Sequence, residues 1–192
     1  MWSRPLSAIL FPALAALPLL GAAARFDLVD TTGVAHSSAD WSRGKAVVLY
    51  FVATDCPIAN SYVPEMNRIH DEYAHKGVEF FAVQADVTAP RDTVAKYAAE
   101  FRYAYPMLLD PQQQLIRFTG ASVTPQVAIL APDGKLLYLG RVDNRVADFG
   151  KQRPRATVAD LRNALDAVLA GKPVPEARTR SVGCAINLKK QP

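Results

Sequence analysis

The fold is decided by the segment AVVLYFVATDCPIANSYVPE, residues 46–65. Its first eight residues form a continuous apolar run, which is typical of a strand buried on both faces of a sheet. A helical pattern begins at Pro57 and continues to about His75, with apolar side chains recurring every three or four residues. One cysteine, Cys56, therefore stands at the junction between a buried strand and a helix.

The position of Cys56 predicts a reactive thiol. Proline suits the first position of a helix and disfavours helical geometry in the residue before it. We therefore expect Cys56 at or beside the N-cap, where free amide groups and the helix dipole stabilise a thiolate and lower the thiol pKa. Asp55 opposes this effect, because a neighbouring carboxylate disfavours a second negative charge. The alternative is a buried and inert cysteine.

The remaining pattern predicts an α/β fold with a central mixed sheet flanked by helices. An N-terminal β-hairpin at 26–36 is followed by alternating strands and helices, and a second hairpin turns at PDGK (132–135). This order implies a right-handed parallel unit with antiparallel edges. Strands are predicted within 46–53, 78–85, 106–110, 123–131 and 136–143, and helices at about 57–75, 90–101, 112–118 and 157–169.

The first 24 residues have the layout of a secretory signal peptide. A short basic start is followed by an apolar run at 6–20 and small residues at 21–24, which predicts cleavage after Ala24. We expect export across the inner membrane into the periplasm, with membrane association only if the leader is an uncleaved anchor. We divide the rest into a domain at 25–171 and a tail at 172–192, which carries Cys184 and is expected to be solvated.

Composition argues against several functions. The chain has 22 Lys and Arg against 18 Asp and Glu, which is not the strongly basic balance of a nucleic-acid-binding protein. No glycine-rich phosphate loop, paired-carboxylate motif or serine triad is present. The three histidines show no metal-ligand spacing. We therefore expect no cofactor, no metal and no nucleic-acid partner.

The dipeptide Thr124-Pro125 precedes the apolar run QVAILA, residues 126–131. A proline within a strand would remove a hydrogen-bond donor of the sheet, so we interpret Pro125 as a cis turn whose backbone faces Cys56. The backbone of Thr124 would then be exposed and could pair with an extended peptide substrate as an added strand. The alternative is an ordinary trans proline in a loop.

With these features, the sequence resembles the thioredoxin superfamily, and specifically the redoxin group of alkyl hydroperoxide reductase and thiol-specific antioxidant (peroxiredoxin-like) domains. The resemblance covers about residues 26–170. It implies a thioredoxin-like fold and a redox-active cysteine at position 56. It rests on AVVLYFVATDCP, on Pro64 within the first helix, on GVEFFAVQAD, on Thr124-Pro125 and on APDGKLLYLGRVD.

The chain departs from each familiar active site of that superfamily. The second cysteine of the Cys-x-x-Cys pattern is Ala59 here, and Tyr50 stands where thioredoxins carry a buried acid. The peroxiredoxin pattern Pro-x-x-x-Thr-x-x-Cys has Leu49 and Ala53 at its first two defined positions. The copper-chaperone pattern Cys-x-x-x-Cys has Asn60 at its second cysteine. The resemblance is therefore more specific for the fold than for the reaction.

Cys184, in RSVGCAINL (180–188), is the one other cysteine. A distant C-terminal resolving thiol is familiar in the peroxiredoxin-like proteins that this chain resembles, and Gly183 permits a close approach. We predict that Cys56 attacks a protein disulfide or a small oxidant, that Cys184 resolves the intermediate, and that a partner dithiol restores both thiols. The resemblance also implies that Arg141 lies near the thiolate and stabilises it.

Other functions remain open from the sequence. The two cysteines could form a permanent disulfide staple, or the chain could be a peroxidase with a degenerate peroxide site. Cys56, Cys184 and a histidine could bind Cu(I), because soft thiolates suit that ion. A peptide-binding relic without catalysis is the last alternative.

Overall fold

The computed structural model describes residues 26–190, so the predicted leader at 1–24 lies outside the described residues. Its strands are β1 (Asp27–Asp30), β2 (Ala35–Ser37), β3 (Ala46–Val52), β4 (Val78–Gln84), β5 (Met107–Leu109), β6 (Val123–Thr124), β7 (Gln126–Leu130), β8 (Leu136–Gly140), β9 (Val146–Asp148), β10 (Lys151–Gln152) and β11 (Cys184–Ala185). Its α-helices are α1 (Pro57–Tyr73), α2 (Arg91–Glu100), α3 (Gln114–Thr119) and α4 (Asp160–Leu169). Short 3₁₀ turns lie at Asp40–Arg43 and Ala74–Lys76.

A seven-stranded mixed sheet forms the centre, in the order β2-β1-β5-β4-β3-β7-β8. Strand β3 pairs in parallel with β4 and antiparallel with β7, and β4 pairs in parallel with β5. Every residue of β3 is buried, as expected for an apolar run at the middle of a covered sheet. The predicted α/β architecture is confirmed. Cys56 follows the end of β3 and so lies at the carboxyl edge of the sheet.

Side chains of β3 alternate between the two faces of the sheet and enter two cores. Val48, Tyr50 and Val52 pack with α1, α2 and α4 on one face. Leu49 and Phe51 pack with α3 and the N-terminal strand on the other face. Each fully buried side chain of this size contributes about 1.5–3 kcal/mol, so β3 is anchored on both faces of the sheet.

Two local differences from the predicted elements have physical causes. Helix α4 begins at Asp160 because the Asn144 side chain accepts hydrogen bonds from the amides of Thr157 and Val158, at 2.8 and 3.1 Å. The sequence pattern also missed the small hairpin of β9 and β10, which is too short to show a period.

Most residues of the tail are exposed, as expected, but the tail is docked on the domain rather than free. The amide of Leu139 donates to the carbonyl of Ala177 at 2.9 Å, which joins the tail to the edge strand β8. The amide of Ile186 donates to the carbonyl of Ser122 at 2.9 Å. Farther on, the amide of Lys189 donates to Oε1 of Gln113 at 2.8 Å. The tail is therefore held along the domain by hydrogen bonds at three separate places: strand β8, the residue before β6 and the N-cap of α3.

Within residues 26–190, no helix combines the length and the apolar character that crossing a membrane requires.

Candidate active site

Cys56 is the N-cap of α1, as the sequence predicts. Its backbone is extended, with φ −89° and ψ 102°, and Pro57 occupies the first helical position. The Cys56 carbonyl accepts the first intrahelical hydrogen bond from the Asn60 amide at 3.0 Å. Its side chain is completely buried. Strand β3 and the helix-starting proline together fix the sulfur at the helix N-terminus.

Two tyrosines, whose roles the sequence did not reveal, hold the first turn of α1. The buried hydroxyl of Tyr50 donates to the Ala59 carbonyl at 2.8 Å. The hydroxyl of Tyr97 donates to Oδ1 of Asn60 at 2.8 Å. Burial raises the pKa of Tyr50 well above its ordinary value, so this residue is a neutral donor. The turn that carries Cys56 is therefore braced from β3 and from α2.

The loop before β7 faces Cys56. The Thr124-Pro125 peptide bond is cis, in agreement with the interpretation of the sequence. The Cys56 thiol donates to the Thr124 carbonyl, with Sγ 2.9 Å from the oxygen. Thr124 is buried, and its hydroxyl has no hydrogen-bond partner in the neutral thiol form among residues 26–190. That hydroxyl is the group that can turn to donate to a Cys56 thiolate.

The expectation that the backbone of Thr124 is exposed for an added strand is wrong in this structure. Strand β11 of the tail pairs antiparallel with β6, with Cys184 opposite Thr124 and Ala185 opposite Val123. Gly183 packs against the same peptide, since a Cβ atom built there would lie 2.1 Å from the Thr124 oxygen. The chain's own tail therefore occupies the edge at which a peptide substrate was expected to pair.

The two thiols lie within hydrogen-bonding reach of each other, and both are free. Burial raises the pKa of Cys56, but hydrogen bonds from the Cys184 side chain, the Thr124 side chain and the Ala59 amide outweigh it, so the pKa is lowered. Burial, the hydrogen bond to Cys56 and the charges of Cys56 and Asp55 raise the pKa of Cys184 to about 12. Cys56 is therefore the thiol that ionises first as the pH rises. The negative charge of Asp55 disfavours ionisation of Cys184.

Arg141 does not reach this pair. Its guanidinium binds the carboxylate of Asp160, at 2.8 Å from Nε to Oδ2 and 3.2 Å from Nη2 to Oδ1. The hydroxyl of Tyr138 donates to the backbone carbonyl of Arg141 at 2.7 Å. None of the contacts described for Arg141 involves Cys56. The residue fastens the start of α4 to the end of β8, and the structure gives no support to its predicted role at the thiolate.

A solvent-open cleft of about 450 Å³ lies beside Cys184. Its walls include Asp55, Asp86, Thr88, Thr124 and Cys184, with tail residues 185–189 along one side. Cys56 is not among the lining residues. In the described part of the chain, no cluster of three or more His, Cys, Asp or Glu side chains is placed to hold a metal ion.

The comparisons with known proteins agree with this architecture. The model of the AhpC/TSA family matches residues 20–139. The chain belongs to the AhpC/TSA family.

Similar proteins with assigned names are thiol-disulfide oxidoreductases. The chain is 33% identical to the thiol-disulfide oxidoreductase ResA of Geobacillus thermodenitrificans over 111 residues. This alignment covers 58% of this chain and 62% of that protein. The chain thus spans about three fifths of the length of the curated relatives that it matches.

Two solved structures extend the likeness to the fold. A hypothetical protein from Sinorhizobium meliloti 1021 aligns with a TM-score of 0.74 and 27% identity, over 92% of this chain and 97% of that one. A candidate thiol:disulfide interchange protein DsbE from Chlorobium tepidum aligns with a TM-score of 0.59 and 25% identity, over 77% and 94% of the two chains. The predicted thioredoxin-like fold is confirmed.

The tail strand is the part of the site that sequence reasoning missed. One signal was present: apolar Val182, Cys184 and Ile186 alternate with Gly183 and Ala185, which is the two-residue period of a strand. The first two pack against the core on the α1 side of the sheet, and Ile186 packs against the opposite core.

Proposed function

We propose that this protein is an exported thiol-disulfide oxidoreductase of the redoxin type, with Cys56 as its nucleophile and Cys184 as its resolving thiol. One observation carries the proposal: two cysteines that are far apart in the chain meet at a helix N-terminus, and their pKa values are shifted in opposite directions. A pair that served only as packing would not need one sulfur prepared as an anion.

The reaction needs only the two sulfurs and one proton. The Cys56 thiolate attacks one sulfur of a substrate disulfide, forms a mixed disulfide and releases the first substrate thiolate. Cys184 then attacks the Cys56 sulfur, forms the Cys56–Cys184 bond and releases the second substrate thiolate. The proton of Cys184 passes to a departing substrate thiolate. The substrate gains two electrons, and the protein is left oxidised.

Substrate access requires movement of the tail. Cys56 is fully buried, and the β11 strand lies on the Thr124 edge beside it. In the reduced protein no covalent bond holds this strand, so it can separate from β6 while the sheet stays intact. Release of β11 exposes Cys56 and frees the Thr124 backbone for a peptide of the substrate. Return of the strand brings Cys184 back to the mixed disulfide.

The partners follow from this chemistry. We propose a protein disulfide as the substrate class, supported by the names of the relatives, and a protein dithiol as the reductant. Export rests on the sequence of residues 1–24 and places the reaction in an oxidising compartment. The peroxidase alternative would use Arg141 at the thiolate, and this residue pairs with Asp160 instead.

A turnover assay with insulin as the disulfide substrate tests the proposal. Wild type should reduce insulin in the presence of a dithiol, and Cys56→Ser should abolish the reaction. Cys184→Ser should slow turnover and accumulate a mixed disulfide on Cys56, visible by mass spectrometry. Lys190→Gln, an exposed change in the same tail and outside the walls of the cleft beside Cys184, is the matched control and should behave as wild type. Full activity of Cys56→Ser would overturn the proposal.

A further inference from the structure

The two sulfurs differ in their access to solvent. Cys56 is completely buried, whereas Cys184 is half-buried and forms part of the wall of the 450 Å³ cleft. The cleft approaches the pair from the side of Asp55 and Asp86, at the carboxyl edge of the sheet. A molecule that enters from solvent therefore meets the sulfur of the tail first.

We propose that the thiol that regenerates the oxidised protein enters this cleft and attacks the sulfur of Cys184, with Cys56 as the leaving group. The proposal rests on the proposed function, because it presumes a Cys56–Cys184 disulfide. It divides the cycle between two approaches: substrate reacts at Cys56 after the tail opens, and reductant reacts at Cys184 while the tail is closed.

The steps balance without any further reagent. The incoming thiolate forms a bond to the Cys184 sulfur, the Cys56–Cys184 bond breaks, and its electron pair stays on Cys56 as a thiolate. The second thiol of the reductant then attacks the reductant's own sulfur in this mixed disulfide. Cys184 leaves and takes up a proton, and the reductant departs as a disulfide. The protein has gained two electrons.

The disulfide itself prevents the alternative approach. In the reduced protein, the β11 strand is held by hydrogen bonds and packing alone, and it can lift away from Thr124. Once Cys184 is bonded to Cys56, the strand is tied down at the residue that covers the site. Farther along the tail, the side chain of Gln113 donates to the Asn187 carbonyl at 2.9 Å, and Arg117 donates to the Lys189 carbonyl. Oxidation therefore keeps Cys56 covered and leaves Cys184 as the accessible sulfur.

The chemistry of the leaving group favours the same direction. A thiol of lower pKa is the better leaving group in disulfide exchange. Attack on Cys184 expels Cys56, whose thiolate is stabilised by the Thr124 side chain and the Ala59 amide, whereas attack on Cys56 would expel Cys184, whose ionisation is opposed by burial and by the charge of Asp55. Both the access from solvent and the stability of the leaving group therefore favour attack at the Cys184 sulfur.

The cleft is large enough to admit the side chain that carries the attacking thiol. Its volume of about 450 Å³ lies within the usual range for ligand sites. Tail residues 185–189 form one wall, so the site is complete only while the tail is docked. A reductant that binds here recognises the closed, oxidised form of the protein.

Sulfite is a direct probe of the attacked sulfur, because it leaves an S-sulfonate on that sulfur and a free thiolate on the other. The wild-type protein is oxidised, treated briefly with sulfite in the presence of iodoacetamide, quenched in acid and mapped by mass spectrometry. We expect S-sulfonate on Cys184 and carbamidomethyl on Cys56, in excess over the reverse pattern by about tenfold or more. The same treatment in guanidinium chloride is the control, and unfolding should remove most of this preference.

The outcomes separate this inference from the proposed function. S-sulfonate mainly on Cys56 of the folded protein would overturn the inference and leave the oxidoreductase proposal standing. An equal preference in folded and unfolded protein would also overturn it, because the fold would then not direct the attack. Failure to form any Cys56–Cys184 bond on oxidation would overturn both.

Discussion

Substitution of Gly183 by alanine tests whether the docked tail controls access to Cys56. A Cβ atom at this position would lie 2.1 Å from the Thr124 oxygen, 2.6 Å from its carbonyl carbon and 3.0 Å from the Pro125 nitrogen. All three atoms belong to the backbone, so no side-chain rotation relieves the contact. The strand β11 must move away from β6, which removes the packing that covers Cys56.

The size of the effect follows from the cost of overpacking. An extra methyl group in a packed site costs about 1–3 kcal/mol, and here that cost falls on the docked state of the tail alone. If Cys56 reacts only from the open state, the open population and the rate of alkylation should rise by about 5- to 150-fold, the factor that corresponds to this energy.

The assay is the rate of Cys56 carbamidomethylation in the reduced protein, followed by mass spectrometry under native conditions. Ala185→Ser is the control, because it changes an exposed residue of the same strand, and its rate should equal that of wild type. Far-ultraviolet circular dichroism should show an intact fold for both variants. A Gly183→Ala protein with the alkylation rate of wild type would refute the view that the tail covers the nucleophile.

Three further predictions concern charges. Cys184→Ala should raise the Cys56 pKa, because a hydrogen bond that stabilises the thiolate is lost, and Cys184→Ser should raise it less. The rate of Cys56 alkylation across pH gives the midpoint of its titration. An unchanged midpoint in both variants would contradict the role of Cys184 in stabilising the Cys56 thiolate. Arg141→Ala should leave that midpoint unchanged and lower the free energy of unfolding by about 1–3 kcal/mol, because Asp160 loses its partner, and urea titration measures this loss. Burial raises the pKa of Asp30, but hydrogen bonds from His36 and from the turn outweigh it and lower the pKa from 3.8 to about 2. The pKa of Asp30 is thus lower in the folded than in the unfolded protein, so the charged Asp30 side chain contributes about 2 kcal/mol of stability above roughly pH 4. This contribution is lost as the pH falls through about 2. The free energies of unfolding of wild type and Asp30→Asn, measured by urea titration, should therefore converge at low pH.

The sequence predicted the parts of the fold that have a period or a fixed backbone requirement. The apolar run before Cys56 indicated the buried strand β3, and Pro57 indicated the helix start that places the sulfur at an N-cap. The cis bond before Pro125 could be predicted for the same reason, since a proline cannot donate to a sheet.

The tail and the pairings of charged residues could not be predicted in this way. Strand β11 is two residues long, and its partner β6 lies far away in the chain, so local pattern carries little information about their contact. Arg141 lies two residues before Asp143, but its partner is Asp160, which only the packing of α4 brings close. Long-range contacts of single side chains depend on the assembled fold rather than on neighbouring sequence.

The most direct test of the central claim is a redox titration of the wild-type protein in thiol–disulfide buffers, with the Cys56–Cys184 bond quantified by mass spectrometry. We predict reversible conversion between the joined and free thiols at a potential above about −300 mV, the region of exchanging disulfides. A bond that persists at lower potentials would identify a permanent staple, and a bond that never forms would remove the resolving thiol; either result contradicts the account.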